Sequence, residues 1–326
     1  MKQDFINGTA YHGDCLEVLK TLPGECVDSV ITSPPYWQLR DYNFDGQWGM
    51  EADFNVYLEK MLSLMNELKR ILKPMGTMWI NLGDTYSKSV NQNNNGRGHS
   101  TLDSQNGKIK IHTRNPTKCI KSLPDKSLML IPHRFAIRCI DELGLILRND
   151  IIWAKPNGMP ESVTDRFSKK HEFVFFFVKN KKYYFDLDSV REKHLPITFI
   201  RNKYGKCGYA EGFAKVTPFK PGDFAHPNGK NPGDVSDFWD LSTKPSSAKH
   251  FATYNTDLIR KPVLAGSPVG GIILDPFAGT GTTAVAAIQY DRKFLMIEGN
   301  KEYYNLMCNN IRNHDLQLKL NFEEVI

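Results

Sequence analysis

The chain of 326 residues is 40% hydrophobic and 24% charged, an ordinary composition for a soluble globular protein of one or two domains. No apolar run reaches the roughly 18 residues that a membrane span needs, and the N-terminus lacks the apolar core of a secretory signal. The six scattered cysteines form no C-x-x-C pair, so we expect reduced thiols in a cytoplasmic protein without a disulfide framework or a bound metal.

The first distinctive element is a strand that ends in two prolines. The run Asp28–Thr32 is β-branched and apolar, as in a buried strand, and "TSPPYW" follows at Thr32 to Trp37. Consecutive prolines remove two backbone donors and fix two φ angles. The sequence therefore predicts a stiff corner that accepts hydrogen bonds and carries an aromatic ring. Taken alone, such a corner is as easily a structural turn.

The next segment predicts a helix, a strand and a long basic insertion. Residues 52–72 have the apolar spacing of an amphipathic helix, "KPMG" stops it, and residues 77–84 follow as a strand. Residues 85–127 lack an apolar period and form a predicted loop. Between Ser87 and Ser122 there are seven Lys or Arg residues and one acid, Asp103, which favours a polyanionic partner over a merely solvated loop.

The remaining elements alternate between helices and strands. A helix closed by Gly144 precedes strands at 145–155 and 171–179, and residues 186–247 are irregular. The last block predicts a helix, the strand "GGIILD", a glycine turn, the helix "TTAVAAIQY", the strand "KFLMIEG" and a final helix. This alternation indicates an α/β fold with a mostly parallel, doubly wound sheet.

A second motif lies in the glycine turn. "ILDPFAGTGTTAVAA" places Asp275 at a strand end and Gly279 and Gly281 in the turn, and Glu298 ends the next strand, where a ribose diol is usually held. The stretch from Asp275 to the end of the chain is too short for a complete dinucleotide-binding domain. The N-terminal block must therefore complete one circularly permuted sheet, whose strand ends meet in a ligand-binding crevice.

The two motifs together resemble those of the S-adenosylmethionine-dependent DNA amino-methyltransferases, in the permuted β-group arrangement. The resemblance rests on the tetrad Ser33-Pro34-Pro35-Tyr36 and on the later run from Asp275 to Thr282. "YHGDCLEVLKTLP", "KHFATYNTDLIRKPVLAGSP" and "IIWAKPNGMPESV" with "HEFVFFFVK" are also similar to segments of that family. The resemblance implies a circularly permuted Rossmann-like methyltransferase with inserted target-recognition segments.

The resemblance implies roles for named residues. The Ser33 side chain and the Pro34 carbonyl would accept hydrogen bonds from an exocyclic amine, and Tyr36 would stack on a base flipped out of double-stranded DNA. S-adenosyl-L-methionine is the implied cofactor. The implied cofactor-binding residues are Asp14, Ser33, His250, Phe251, Thr253, Asp275, Pro276, Phe277, Gly279, Thr280, Gly281, Thr282 and Glu298. Because the tetrad begins with Ser, the resemblance favours cytosine N4 as the target; adenine N6 is the alternative.

The resemblance also divides the chain into five parts. We expect a catalytic half at 1–84, a basic insertion at 85–127, a continuation of the catalytic sheet at 128–185, a target-recognition region at 186–247 and a cofactor-binding half at 248–326. The candidate DNA contacts are Lys108, Lys110, Arg114, Arg201 and Lys203. The resemblance implies a prokaryotic or phage protein, a monomer or homodimer, whose partner is double-stranded DNA and beside which a cognate restriction endonuclease acts separately.

Several residues keep a second interpretation. Asp14 is also a candidate N-cap for the helix that follows it, and Phe277 a candidate core aromatic. His250 has the alternative of a surface histidine, and Trp37 and Trp48 of either core packing or DNA contact. The rival functions are an RNA or protein methyltransferase and a DNA-binding protein with a degenerate site.

Overall fold

The computed structural model describes residues 1–42, 44–87, 99–102, 109–112, 123–158, 161–191, 237–243 and 256–323. The strands are β1 (Lys2–Phe5), β2 (Gly8–His12), β3 (Val27–Thr32), β4 (Leu72–Leu82), β5 (His99–Leu102), β6 (Ile109–His112), β7 (Ile146–Ala154), β8 (His171–Val178), β9 (Phe238–Asp240), β10 (Ile272–Asp275) and β11 (Lys293–Glu298). The helices are α1 (Cys15–Thr21), α2 (Phe54–Ile71), α3 (Ile131–Asp141), α4 (Thr256–Gly266), α5 (Thr282–Gln289) and α6 (Lys301–Glu323), and one 3₁₀ turn covers Asp188–Val190.

Nine of these strands form one mixed sheet in the order β1-β2-β11-β10-β3-β4-β8-β7-β9. Strands β2, β11, β10, β3 and β4 run parallel, and β8 pairs antiparallel with both β4 and β7. The late strand β10 lies between β11 and the early strand β3. The predicted permuted sheet, completed by the N-terminal block, is therefore confirmed.

Helices cover both faces of this sheet. Successive side chains of a strand point to opposite faces, so an apolar strand needs helices on both sides to bury it. On β8, Phe175 and Phe177 join one core cluster and Phe176 joins the other. The first cluster includes residues of α1, α2 and α3, and the second includes residues of α4, α5 and α6. The predicted doubly wound α/β class is thus confirmed. Among the described residues, no helix is long and apolar enough to cross a membrane.

The structure differs from the predicted elements at four places, one of which is the predicted irregular region 186–247, where β9 pairs with β7. Helix α2 passes directly into β4 at Leu72, so "KPMG" lies in the strand, where the β3–β4 register shifts between Val27 and Ser29. The β1–β2 hairpin was not predicted from the sequence. Within the predicted loop 85–127, β5 and β6 pair as an antiparallel ribbon.

The sheet order places the crevice of the protein. Strand order reverses at β10, which continues through α5 to β11 on one side and has β3 as its neighbour on the other. At such a switch point the connections leave in opposite directions and open a crevice beyond the carboxyl ends of the strands. The strands β3, β10 and β11 end there at Thr32, Asp275 and Glu298.

A close approach between α4 and β4 gives a test of this packing. The Thr77 hydroxyl donates to the Gly266 carbonyl at 2.7 Å, and a Cβ at Gly266 would lie 2.5 Å from Nε1 of Trp79. We expect Gly266→Ala to lower the free energy of unfolding by about 1–3 kcal/mol, because overpacking forces buried groups apart. Urea unfolding measures the change.

Gly24→Ala is the matched control. A Cβ at Gly24 would lie 3.6 Å from the Arg70 carbonyl oxygen, an ordinary contact, so this variant should retain wild-type stability. Equal stability of the two variants would contradict the described packing of α4 on β4.

Candidate active site

The proline corner follows β3 directly and is fixed from several sides. The Tyr57 hydroxyl on α2 donates to the Pro35 carbonyl at 2.9 Å, and Trp37 Nε1 donates to the Glu51 carbonyl at 2.8 Å. A Cβ at Gly83 would lie 2.6 Å from Cε2 of Tyr36, so only glycine permits the strand β4 end to approach this ring. The corner is therefore a rigid part of the site.

A first cavity, of about 210 Å³, opens beside the corner at the ends of β2, β3, β10 and β11. Of the predicted cofactor residues, those that line it are Asp14, Ser33, Pro276, Phe277, Gly279, Thr280 and Glu298. Pro35 of the tetrad also lines it. The cavity has an apolar wall of rings, to which Trp48 and Phe277 contribute a T-shaped pair with centroids 5.3 Å apart.

Glu298 is the buried carboxylate of this cavity. Its Oε2 accepts a hydrogen bond from the Gly279 amide at 2.8 Å, and its Oε1 accepts one from the Asn300 amide at 2.7 Å. Burial raises the pKa of Glu298 to about 7, against the lowering effect of these amide donors. The carboxylate thus joins the glycine turn after β10 to the end of β11 and faces the cavity.

Asp14 lies at the start of α1 and also lines the first cavity, a position compatible with both of its predicted roles. Its Oδ1 accepts from the Glu17 amide at 3.2 Å and caps α1, and its Oδ2 accepts from Trp48 Nε1 at 3.3 Å at the cavity wall. The N-cap interpretation is confirmed by this geometry.

Trp37 and Trp48 are both buried, at 2% and 5% exposure, so both pack inside the protein.

Three of the predicted cofactor-binding residues in the second motif lie outside the lining of both cavities. Asp275 is buried: its Oδ1 accepts from Thr32 at 2.7 Å and its Oδ2 from Thr283 at 2.6 Å. Gly281 caps α5 with a φ of +88°, and a Cβ there would lie 2.8 Å from Cγ of Met307. Thr282 begins α5. In this structure these residues shape the turn from behind the cavity.

A second cavity, of about 270 Å³, opens on the other side of the corner. It extends toward β4, β7 and β8, and its lining combines rings with polar groups. The lining residues are Ser33, Pro34, Tyr36, Leu39, Arg40, Tyr42, Asn81, Trp153, Lys155, Glu172 and Thr243. Ser33 and Tyr42 line both cavities, so the two spaces meet at the predicted catalytic corner.

Hydrogen bonds connect the polar groups of this second cavity. Glu172 Oε2 accepts from the Tyr36 hydroxyl at 2.7 Å and from Asn81 Nδ2 at 3.1 Å, and its Oε1 pairs with Lys155. The Lys155 ammonium also lies 4.1 Å from the centroid of the Trp153 ring. Burial and then the Glu172 charge raise the pKa of Tyr36 far above its ordinary value, so the hydroxyl keeps its proton.

The segment between the proline corner and α2 contributes lining residues to both cavities. Tyr42, Phe44, Asp45, Gly46 and Trp48 line the first cavity. Leu39, Arg40 and Tyr42 line the second. The Gln38 amide donates to the Gly49 carbonyl, which closes the segment at its base.

Sequence reasoning missed several residues of the site. Asn81, Lys155 and Glu172 come from the ends of β4, β7 and β8, and the signal that could have found them is a polar residue at the end of an apolar strand. Tyr42 and Tyr303 form a T-shaped pair with centroids 6.3 Å apart at the first cavity. Nothing in their local sequence marks that pair.

Other predicted residues lie outside the described part of the chain. These are His250, Phe251, Thr253, Lys108, Arg114, Arg201 and Lys203. Lys110 is in β6, of which the backbone is described. Their binding roles stay predictions, as do the five divisions of the chain.

Comparison with known proteins identifies the family. A family model described as DNA methylase matches residues 27–309. The chain belongs to this family. It is 37% identical over 311 residues to the type II methyltransferase M.Cfr9I of Citrobacter freundii. That alignment covers 95% of this chain and 90% of the relative. It is also 37% identical over 294 residues to M.SmaI of Serratia marcescens, which covers 90% and 87% of the two chains.

Solved structures share the fold of this DNA methylase. The PvuII DNA methyltransferase, described as cytosine-N4-specific, has a TM-score of 0.60 at 20% identity over 93% of this chain and 85% of its own. A putative DNA modification methylase of Thermus thermophilus, complexed with S-adenosyl-L-methionine, has a TM-score of 0.54 at 23% identity over 94% and 95%. The chain is therefore a DNA methyltransferase of the family that covers cytosine N4 and adenine N6.

The raised pKa of Glu298 gives a stability test. The native state holds this proton up to a pH of about 7, and the unfolded chain releases it near 4.5. The free energy of unfolding should therefore fall by up to about 3 kcal/mol between these pH values, relative to Glu298→Gln, which does not titrate. Urea unfolding of both proteins at a series of pH values measures the difference.

Glu302→Gln, an exposed position in α6, is the control and should follow the wild-type pH curve. Parallel stability curves for the wild type and Glu298→Gln would show that the burial of this carboxyl does not govern its titration.

Proposed function

We propose that this protein transfers a methyl group from S-adenosyl-L-methionine to the exocyclic N4 of a cytosine flipped out of duplex DNA. The observation that carries the proposal is that two separate cavities meet at Ser33. A methyl donor and a base in adjoining spaces need one common wall where the reacting atoms meet, and holding them there supplies most of the rate gain.

The first cavity suits the cofactor. The Glu298 carboxylate, held by two backbone amides, is an acceptor for a ribose diol, and the Asp14 carboxylate is one for an amino group. Aromatic side chains such as Trp48 and Phe277 offer apolar faces to an adenine ring. When bound, S-adenosylmethionine supplies a methyl group on a positively charged sulfur.

The second cavity suits the target base. Ser33 donates its proton toward the Tyr36 hydroxyl at 3.4 Å and accepts from Asn81 Nδ2 at 3.3 Å, so one lone pair of its oxygen stays available to accept from an amine N–H. The Pro34 carbonyl is the second acceptor proposed, since Pro34 lines the same cavity. An amine that donates to both acceptors is more tetrahedral, and its lone pair is free for the methyl group.

The choice of cytosine over adenine rests on the first residue of the tetrad. Ser33 takes the place that, in the family this chain resembles, is associated mainly with cytosine N4. A neighbour in fold, the PvuII enzyme, is described as cytosine-N4-specific. The alternative is adenine N6 on the same scaffold, which requires a larger base in the same cavity.

The biological setting that we propose is restriction–modification. The relatives M.Cfr9I and M.SmaI are both described as type II methyltransferases. A cognate endonuclease would act separately, and the protein would work as a monomer or homodimer in a prokaryotic or phage-infected cytoplasm. The excess of Lys and Arg in 87–122 would neutralise phosphates, so DNA affinity should fall steeply with salt.

The product and the role of Ser33 are tested together. The purified protein should transfer labelled methyl groups to duplex DNA, and digestion to nucleosides with mass spectrometry should detect N4-methylcytosine. Ser33→Ala should slow single-turnover transfer by about 10²-fold or more, since it removes one placed polar group. Calorimetric titration should show that it still binds the cofactor.

Ser63→Ala is the matched control, because this serine is exposed on α2 and donates only to the Glu59 carbonyl. Detection of N6-methyladenine alone would replace the cytosine assignment by adenine. Near-normal transfer by Ser33→Ala would contradict the role assigned to the corner.

A further inference from the structure

The second cavity contains a chain of hydrogen bonds that begins at Ser33 and ends at a carboxylate. The Ser33 hydroxyl donates to the Tyr36 hydroxyl at 3.4 Å, and the Tyr36 hydroxyl donates to Glu172 Oε2 at 2.7 Å. Each hydroxyl in this series of hydrogen bonds donates toward Glu172. A series of donors with one direction allows a proton to move from the base amine to the carboxylate.

Asn81 fixes that direction. Its Nδ2 donates to the Tyr36 oxygen at 2.8 Å and lies 3.3 Å from the Ser33 oxygen. Because the Tyr36 oxygen accepts from Asn81 and Ser33, its own proton is left for Glu172. The Ser33–Tyr36 contact, at 3.4 Å, is the longer of the two bonds in this chain.

The carboxylate at the end of the hydrogen-bond chain is paired with a lysine and is partly exposed. Lys155 pairs with its other oxygen, and the two side chains are 19% and 18% exposed, so water reaches the pair. The other titratable or charged groups that face Glu172 or line its cavity are Tyr36, Tyr42, Lys169, His171 and Arg40.

We propose that Ser33, Tyr36 and Glu172 form a relay that removes the proton released by the methylated amine. This inference rests on the proposed function. The amine lone pair forms the new nitrogen–carbon bond, and the carbon–sulfur bond breaks with its electron pair kept by sulfur. The nitrogen then carries one proton too many. That proton passes to the Ser33 oxygen as the Ser33 proton passes to Tyr36 and the Tyr36 proton to Glu172.

The charges balance in this sequence. The positive charge that arrives with the methyl group leaves as the proton that neutralises Glu172, and Lys155 is unchanged. The protonated carboxyl then releases its proton to water through its exposed edge. Tyr36 acts through its hydroxyl in this step, in addition to the stacking role proposed for its ring.

Two conservative variants test the relay independently. Tyr36→Phe retains the ring and removes the hydroxyl, and Glu172→Gln retains the shape and removes the proton acceptor. We expect each to slow single-turnover methyl transfer by about 10²-fold with an unchanged cofactor dissociation constant. The double variant should be about as slow as either single one, because the two groups act in one path.

The pH profile separates a relay from a structural role. Wild-type transfer should slow at low pH, and this acid limb should be absent from both single variants, because they lack a group of the path by which the proton leaves. Glu59→Gln, on the exposed side of α2, should retain the wild-type rate and profile. Tyr57→Phe, which removes a hydroxyl from the same corner but not from the chain, should retain the acid limb.

Two results would overturn the relay: a wild-type rate and acid limb in Tyr36→Phe, or a double variant that loses the product of the two single losses. If the wild type methylates no DNA, the proposed function fails as well. If it forms N6-methyladenine, the same variants test the relay, because that amine releases a proton too.

Discussion

One buried carboxylate, that of Asp275, connects the N-terminal and C-terminal parts of the sheet at the site. Asp275 ends β10 and accepts a hydrogen bond from Thr32, which ends β3, although the two residues are 243 positions apart in sequence. Its second oxygen accepts from Thr283 on α5, and its first also accepts from the Phe277 amide at 3.0 Å. Because a buried carboxylate must have its acceptors filled, these contacts hold the proline corner and the glycine turn side by side.

The division into two cavities follows from that arrangement. Strand order reverses at β10, so the crevice lies between the halves of the sheet, and Ser33 stands at its midpoint. Toward β11 the walls are apolar rings around Glu298. Toward β4 and β8 the walls carry the Glu172 network. A cavity with a wall of aromatic rings and a cavity with a hydrogen-bonded network thus adjoin at Ser33.

The sequence predicts best what depends on local pattern. Helix α2 has a long apolar period, and β3 and β8 are compact apolar runs, so their type and place are confirmed. The hairpin β1–β2 has half-exposed strands without an apolar run, which explains why it was missed. The junction at Leu72 was misplaced because Pro74 and Gly76 normally interrupt a strand; here they lie at a register shift.

The site is predictable only where residues are neighbours in sequence. The Ser33 to Tyr36 tetrad and the turn after Asp275 are continuous motifs, whereas Asn81, Lys155 and Glu172 meet only because β4, β8 and β7 are adjacent in the sheet. Long-range strand order is set by packing of the whole domain, so no local pattern contains it. Glu172 is the clearest case, because its partner Tyr36 belongs to the predicted motif and it does not.

The most direct test is a crystal structure of the protein with S-adenosylhomocysteine and a duplex that contains its methylation site. We expect the target base to be extruded into the cavity of Tyr36 and Glu172, with its amine against Ser33, and the cofactor product to lie beside Glu298 in the first cavity. A base that stays stacked in the duplex, or that binds away from Ser33, would contradict the assignment of the two cavities.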